Sequence, residues 1–272
     1  MNQMPASSLF AAAECCLAAT SPEQKVVLTR TAAAEFRAGR LSVPIGDSQV
    51  DAIGSPGRPP RPELIDPRKL AQRGLGSPEG RAALVHAIAH IEFNAINLAW
   101  DAVYRFRGMP ADFYADWVNI ADDEARHFQM LNERLADLSH GYGDFDAHNG
   151  LWEMAVVTAD SCLERMALVP RVLEARGLDV TPGMIQRLRS VGDHRTADIL
   201  EVILREEVAH VAAGSRWFAW CCVQSGVEPE STFAKLLDRH MRGSLRGPFN
   251  IEARLSAGFS HSELAHLGTL AA

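Results

Sequence analysis

The sequence predicts an all-α fold: an antiparallel four-helix bundle over residues 77–226, with an N-terminal helical extension (1–76) and a C-terminal tail (227–272). Three observations predict it. No segment between 77 and 226 alternates apolar and polar residues with the period of two that a half-buried strand needs. Four segments of roughly 25–33 residues carry their apolar residues at helical spacing instead. Glycine and proline punctuate these segments so that most connections are short, as between antiparallel neighbours.

The extension comes first. Residues 1–20 read as a short helix. Ser21-Pro22-Glu23-Gln24 is a start signal, with Ser as cap, Pro in the first turn and Gln at the capping-box position. The helix it opens runs to about Ala38. Pro44, Pro56, Pro59, Pro60, Pro62 and Pro67 then forbid a continuous helix over 40–76, which reads as an extended strap.

Ser77-Pro78 opens the first long helix, which reaches about Arg107 before Gly108 and Pro110. The second covers about 111–139. The third covers about 151–176, with a stop at Gly177 and a short helix over 181–191 capped by Thr181-Pro182. The fourth covers about 193–225 and ends at Gly226. The tail reads as loop and short helix.

Each long helix carries an acid on its apolar stripe. Glu92 lies among Val85, Ile88, Ala95, Ile96, Ala99 and Val103. Glu124 and His127 share a face with Trp117, Ile120, Ala121, Phe128 and Leu131. Glu164 falls with Val157, Ser161, Ala167 and Leu168. Glu207 and His210 lie with Leu200, Ile203, Val211 and Gly214. Two of these acids open a Glu-x-x-His motif, and residues three apart share a helix face. With 18 Glu and 10 His in the chain, about 0.7 such motifs arise by chance, so the motif alone carries little. The company it keeps carries more. Unpaired carboxylates facing a core are costly and repel one another, and two divalent cations would offset four of them.

This order of ligands, Glu92, Glu124 with His127, Glu164, Glu207 with His210, resembles the ferritin-like di-iron carboxylate superfamily. The resemblance covers about 77–226 and looks closest to an uncharacterised bacterial branch, to which Pro248-Phe249-Asn250, Glu252-Ala253-Arg254 and Ala257-Gly258-Phe259 are also similar. It implies two iron ions, Fe/Fe with Mn/Fe as the alternative. Glu124 and Glu207 would bridge them, with Glu92, Glu164, His127 and His210 terminal. Asp123 and Glu206 would accept the second imidazole N–H of the histidine on the facing helix. Asp160, four residues before Glu164, is a candidate for an outer hydrogen bond.

Other residues read more plainly. His86 and His90 have a spacing that suits zinc but no evident third ligand, so they read as ordinary core or surface histidines. Trp100, Tyr104 and Trp117 read as core, and Cys162 as a buried thiol. Glu263 and His266 read as a solvated pair.

Bulk composition bounds the rest. A formal charge of −7 argues against broad nucleic-acid binding. The five cysteines include no Cys-x-x-Cys, which argues against a thiolate zinc site or a disulfide framework. No stretch reads as a membrane span or a signal peptide, so a cytoplasmic protein is expected. The resemblance implies an O2-activating oxidase or hydroxylase with an unidentified small-molecule substrate and electron donor, and a homodimer as candidate assembly. A ferroxidase of ferritin type and a tRNA-modifying hydroxylase are the alternatives.

Overall fold

The structure, a computed structural model, describes residues 7–44 and 50–271. The parts of the expected N-terminal helix and strap that fall on 1–6 and 45–49 lie outside the described residues. Among the described residues there is no strand, only two isolated bridges, Ser8–Ser42 and Leu64–Ala147. The chain divides into two compact units, Met1–Glu153 and Met154–Ala272.

The first unit is built on a helical hairpin. Its arms are α3 (Pro78–Arg105) and α4 (Ala111–Asp137), within two residues of expectation. Ser77 starts α3 as read from the sequence, its hydroxyl accepting from Gly80 N at 3.0 Å. Two further helices, α1 (Leu9–Ala18) and α2 (Pro22–Arg37), pack on α3 and α4. The cap at Ser21 forms, with Gln24 N bonding Ser21 Oγ at 3.3 Å. Lys25 is fully buried, and its Nζ donates to the Cys16 and Leu17 carbonyls at the end of α1 (2.7 and 3.3 Å). Those carbonyls have no intrahelical donor, so the ammonium takes the place water would otherwise fill.

The strap is extended, with one 3₁₀ turn at Pro67–Lys69. It is tied to the same unit by Ile65 N→Ala147 O and Ala147 N→Glu63 O, each 2.9 Å, and by Trp152 Nε1→Gly54 O at 2.9 Å. By length and composition α3 could cross a membrane, which the sequence reading did not allow, but 72% of its apolar window is buried inside the protein.

The boundary between the units falls in sequence within α5 (Gly150–Val157). Here the third expected helix fails. Instead of one helix over 151–176, α5 stops, residues 158–161 form a turn, and α6 (Cys162–Leu168) restarts. Val156, Val157 and Thr158 are β-branched and lose side-chain freedom in a helix. Thr158 Oγ1 turns back onto the Met154 carbonyl at 2.8 Å, and Ser161 caps α6 by accepting from Glu164 N at 3.1 Å. Buried Arg165 fixes the break by donating to Thr158 Oγ1 (2.8 Å) and to the Ala155 carbonyl.

The helix then widens into a π turn, Val169–Glu174, and continues as α7 (Ala175–Ser190). Pro170 has no N–H to donate and its ring crowds the preceding turn, which a π turn relieves. The expected stop at Gly177 and start at Thr181-Pro182 do not occur; α7 runs through both. Tertiary bonds hold it there. Asp179 is bound bidentately by buried Arg254 (2.9 and 2.8 Å) and accepts from Asn250 N at 2.9 Å.

Helix α8 (His194–Ser225) returns along α6 and α7, ending at Gly226, whose φ of +64° suits glycine. The tail forms α9 (Pro229–His240), α10 (Ile251–Ser256) and α11 (His261–Ala271). One expectation is corrected here. Glu263 is not solvated: it is buried and takes Arg171 Nη2 at 2.7 Å. Arg171 in turn lies over the rings of Phe218, Phe233 and Phe259, 4.2–4.8 Å from their centroids.

Candidate metal centre

In the first unit the predicted residues converge. Glu92 on α3 and Glu124 and His127 on α4 are all buried, and one ligand atom from each lies within 4.8 Å of the others. His127 Nδ1 is 3.4 Å from Glu92 Oε2 and 3.4 Å from Glu124 Oε2. Helix spacing explains this: the hairpin sets Glu92 level with the Glu124–His127 turn, and every stripe residue named on both arms is buried. Phe93 and Phe128, next in sequence to Glu92 and His127, meet at 5.5 Å.

The electrostatics are those of a crowded acidic site. Burial, then the neighbouring Glu124, raise the Glu92 carboxyl well above the usual carboxylate range, against the pull of His127. Burial alone would lower His127, but the Glu124 and Glu92 carboxylates outweigh it and lift the imidazole to about 11. A proton shared among two buried carboxylates and an imidazole is what a divalent cation would displace. The donors are carboxylate oxygen and imidazole, without thiolate, a set that could hold a divalent metal ion. Asp123, beside Glu124, is half-buried and accepts from Arg126 Nη2 at 2.8 Å.

The second unit presents Glu207 and His210 one turn apart on α8, with His210 Nδ1 3.2 Å from Glu207 Oε1. Glu207 is 12% exposed on its side chain and His210 4%. Glu206 is half-buried beside them.

Glu164 is not brought to this pair. It sits three residues past the Ser161 cap, half-buried, and bonds Arg239 Nη1 of α9 at 3.3 Å. The register of the hairpin explains why. Pro170 lies against Gly214, where an added β-carbon would meet the proline ring at 2.5 Å, and Arg171 Nε bonds Ser215 Oγ at 3.1 Å. In that antiparallel register Glu164 is level with residues near 220, ten beyond His210, or about 15 Å along the axis. Asp160 lies exposed in the turn before α6, off any helix face.

The acid at the level of His210 is Glu174. It ends the π turn one turn beyond Pro170, as His210 lies one turn before Gly214, and it is half-buried. A signal for it existed in the sequence. Glu92 precedes Glu124 by 32 residues and Glu174 precedes Glu207 by 33, whereas Glu164 precedes Glu207 by 43. The two hairpins thus repeat one pattern, acid, then Glu-x-x-His, at nearly one spacing.

Comparison with known proteins covers both hairpins. A family model described as "Protein of unknown function (DUF455)" matches residues 18–265. The chain belongs to the DUF455 family. A relative from Haemophilus influenzae (strain ATCC 51907 / DSM 11121 / KW20 / Rd), an uncharacterized protein, is 44% identical over 213 residues, 76% of this chain and 74% of the relative. No solved structure matches. The DUF455 match includes both repeats of the acid and Glu-x-x-His pattern, and Arg254 and Glu263 of the tail.

Proposed function

We propose that this DUF455 protein is a di-metal carboxylate oxidoreductase of the ferritin-like kind, holding two iron ions, or one manganese and one iron, and acting on O2 and a small organic substrate. The observation that carries the reading is the buried Glu92–Glu124–His127 group, two acids and an imidazole within ligand distance in an apolar interior. In this reading Glu92, Glu124 and His127 are metal ligands, and Glu174, Glu207 and His210 are the other proposed ligands. The repeat of the pattern at 32 and 33 residues supports reading both sets as ligands.

Once bound, a pair of ferrous ions supplies the electrons that reduce O2. The chain's own part is separate. The buried carboxylates would neutralise the dications. His127 would give up its shared proton to metal. Metal uptake therefore releases protons and strengthens as pH rises.

Metal analysis of protein from iron-replete cells, followed by anaerobic reduction and O2 addition, tests the reading. Two metals per chain, with O2 consumption and a visible absorption change, is the expected result. Less than one metal per chain after reconstitution with ferrous iron defeats it.

A further inference from the structure

The second unit holds a pair of thiols that the proposed metal chemistry does not use. Cys162 is the first residue of α6, and Cys221 lies in the last two turns of α8. The two helices pack directly on each other. The Pro170–Gly214 contact sets their register. Eight residues back along one helix and seven forward along the other lead from that contact to Cys162 and Cys221. That register sets the two thiols level on facing helices, close enough for each to shift the other's titration. Both are free thiols, Cys162 half-buried and Cys221 5% exposed.

We propose that Cys162 and Cys221 form a reversible dithiol–disulfide pair that clamps the start of α6 to the end of α8 under peroxide. The Cys221 sulfur attacks one peroxide oxygen, the O–O bond breaks, and the departing oxygen leaves as water with the thiol proton. The resulting Cys221 sulfenic acid is attacked by the Cys162 sulfur, the S–O bond breaks, and a second water leaves. Two thiols and one hydrogen peroxide give one disulfide and two waters; sulfur loses two electrons and oxygen gains them. A small dithiol reverses the oxidation. The neighbouring Cys162 thiol holds Cys221 below its usual range, which favours Cys221 as the attacking sulfur.

The other cysteines are internal controls. Cys15 and Cys16 adjoin on α1, and Cys222 adjoins Cys221 on α8; neighbours on a helix do not face each other. Cys16 and Cys222 are fully buried.

The test treats the reduced full-length chain with hydrogen peroxide, blocks remaining thiols, and maps linked peptides by mass spectrometry in native and Cys222→Ser protein. The proposal expects a Cys162–Cys221 linked peptide in both, a mass loss of 2 Da, and loss of two thiols per chain restored by dithiothreitol. In Cys162→Ser protein it expects a sulfenic acid on Cys221, trapped by dimedone. A link through Cys222, oxidation confined to Cys15, or both thiols surviving peroxide that oxidises free cysteine overturns it. The native-protein measurement decides the matter even where a variant fails to fold.

Discussion

Glu164 and Glu174 show how much a single residue's surroundings decide. Both are acids in the third helical region, and stripe reading selected Glu164. Yet Ser161-Cys162-Leu163-Glu164 is a capping-box sequence, and an acid in a first helical turn is favourable by itself. Glu164 needs no metal, because Arg239 already answers its charge at 3.3 Å. Two variants separate the readings. Glu174→Gln should lower metal content from two per chain to one or none, while Glu164→Gln should leave it at two, as measured by plasma emission on reconstituted protein. The opposite pattern would restore Glu164 as the ligand.

A second residue, His86, sets a pH dependence. It is fully buried, its Nε2 accepts from Gly143 N at 2.9 Å, and its ring stacks on Tyr142. Burial lowers its pKa from 6.5 to about 4. Asp144 and Asp146 oppose the shift, and His140 adds to it. The folded value lies below the unfolded one, so the unfolded chain binds more protons between them. His86 therefore contributes stability above pH 6.5 that is lost as pH falls towards 4, at about 1.4 kcal/mol per pH unit per proton. Urea midpoints taken from pH 7.5 to 4 should fall over that window, and His86→Gln should lessen the fall. An unchanged slope in the variant would refute the assignment.

At the scale of elements, α3, α4 and α8 were legible to within two residues because their signals are local. Ser77-Pro78 starts one, Gly226 ends another, and the apolar stripes are long. The third helical region was not legible, because its course depends on partners distant in sequence. Gly177 and Pro182 are local stop signals, overridden by Arg254 and Asn250 gripping Asp179 from 71 to 75 residues away. The break before α6 was half legible in Val156-Val157-Thr158 and Ser161. The π turn depends on Pro170 meeting a helix with glycine at the contact. Gly214→Ala puts a methyl 2.5 Å from that proline ring. The helices must part, at about 1–3 kcal/mol, seen as a lower urea midpoint. The tail is gripped in the same manner. Glu263→Gln leaves the Arg171 guanidinium in its aromatic cage without a carboxylate. Removing one partner of a buried pair costs about 3–5 kcal/mol, measurable in the same experiment. A change below 0.5 kcal/mol in either variant would mean that the contact contributes nothing.

At the scale of the whole chain, the proposed centre draws its ligands from two units that each have their own core. Compact units can unfold independently, whereas a ligand bound by both must be released before either unfolds. Metal at about 100 times its dissociation constant stabilises the binding state by about 2.7 kcal/mol, roughly 5–10 °C for a chain of this size. Calorimetry of chelator-treated protein should thus give two overlapping transitions, and of loaded protein one transition at higher temperature. Because His127 and Glu92 would exchange a proton for metal in the proposed centre, the shift should grow with pH. If metal raises one transition and leaves the other in place, the centre belongs to one unit. Glu92, Glu124 and His127 would then bind metal without Glu174, Glu207 and His210, and the shared di-metal reading would fail although metal binding itself survived.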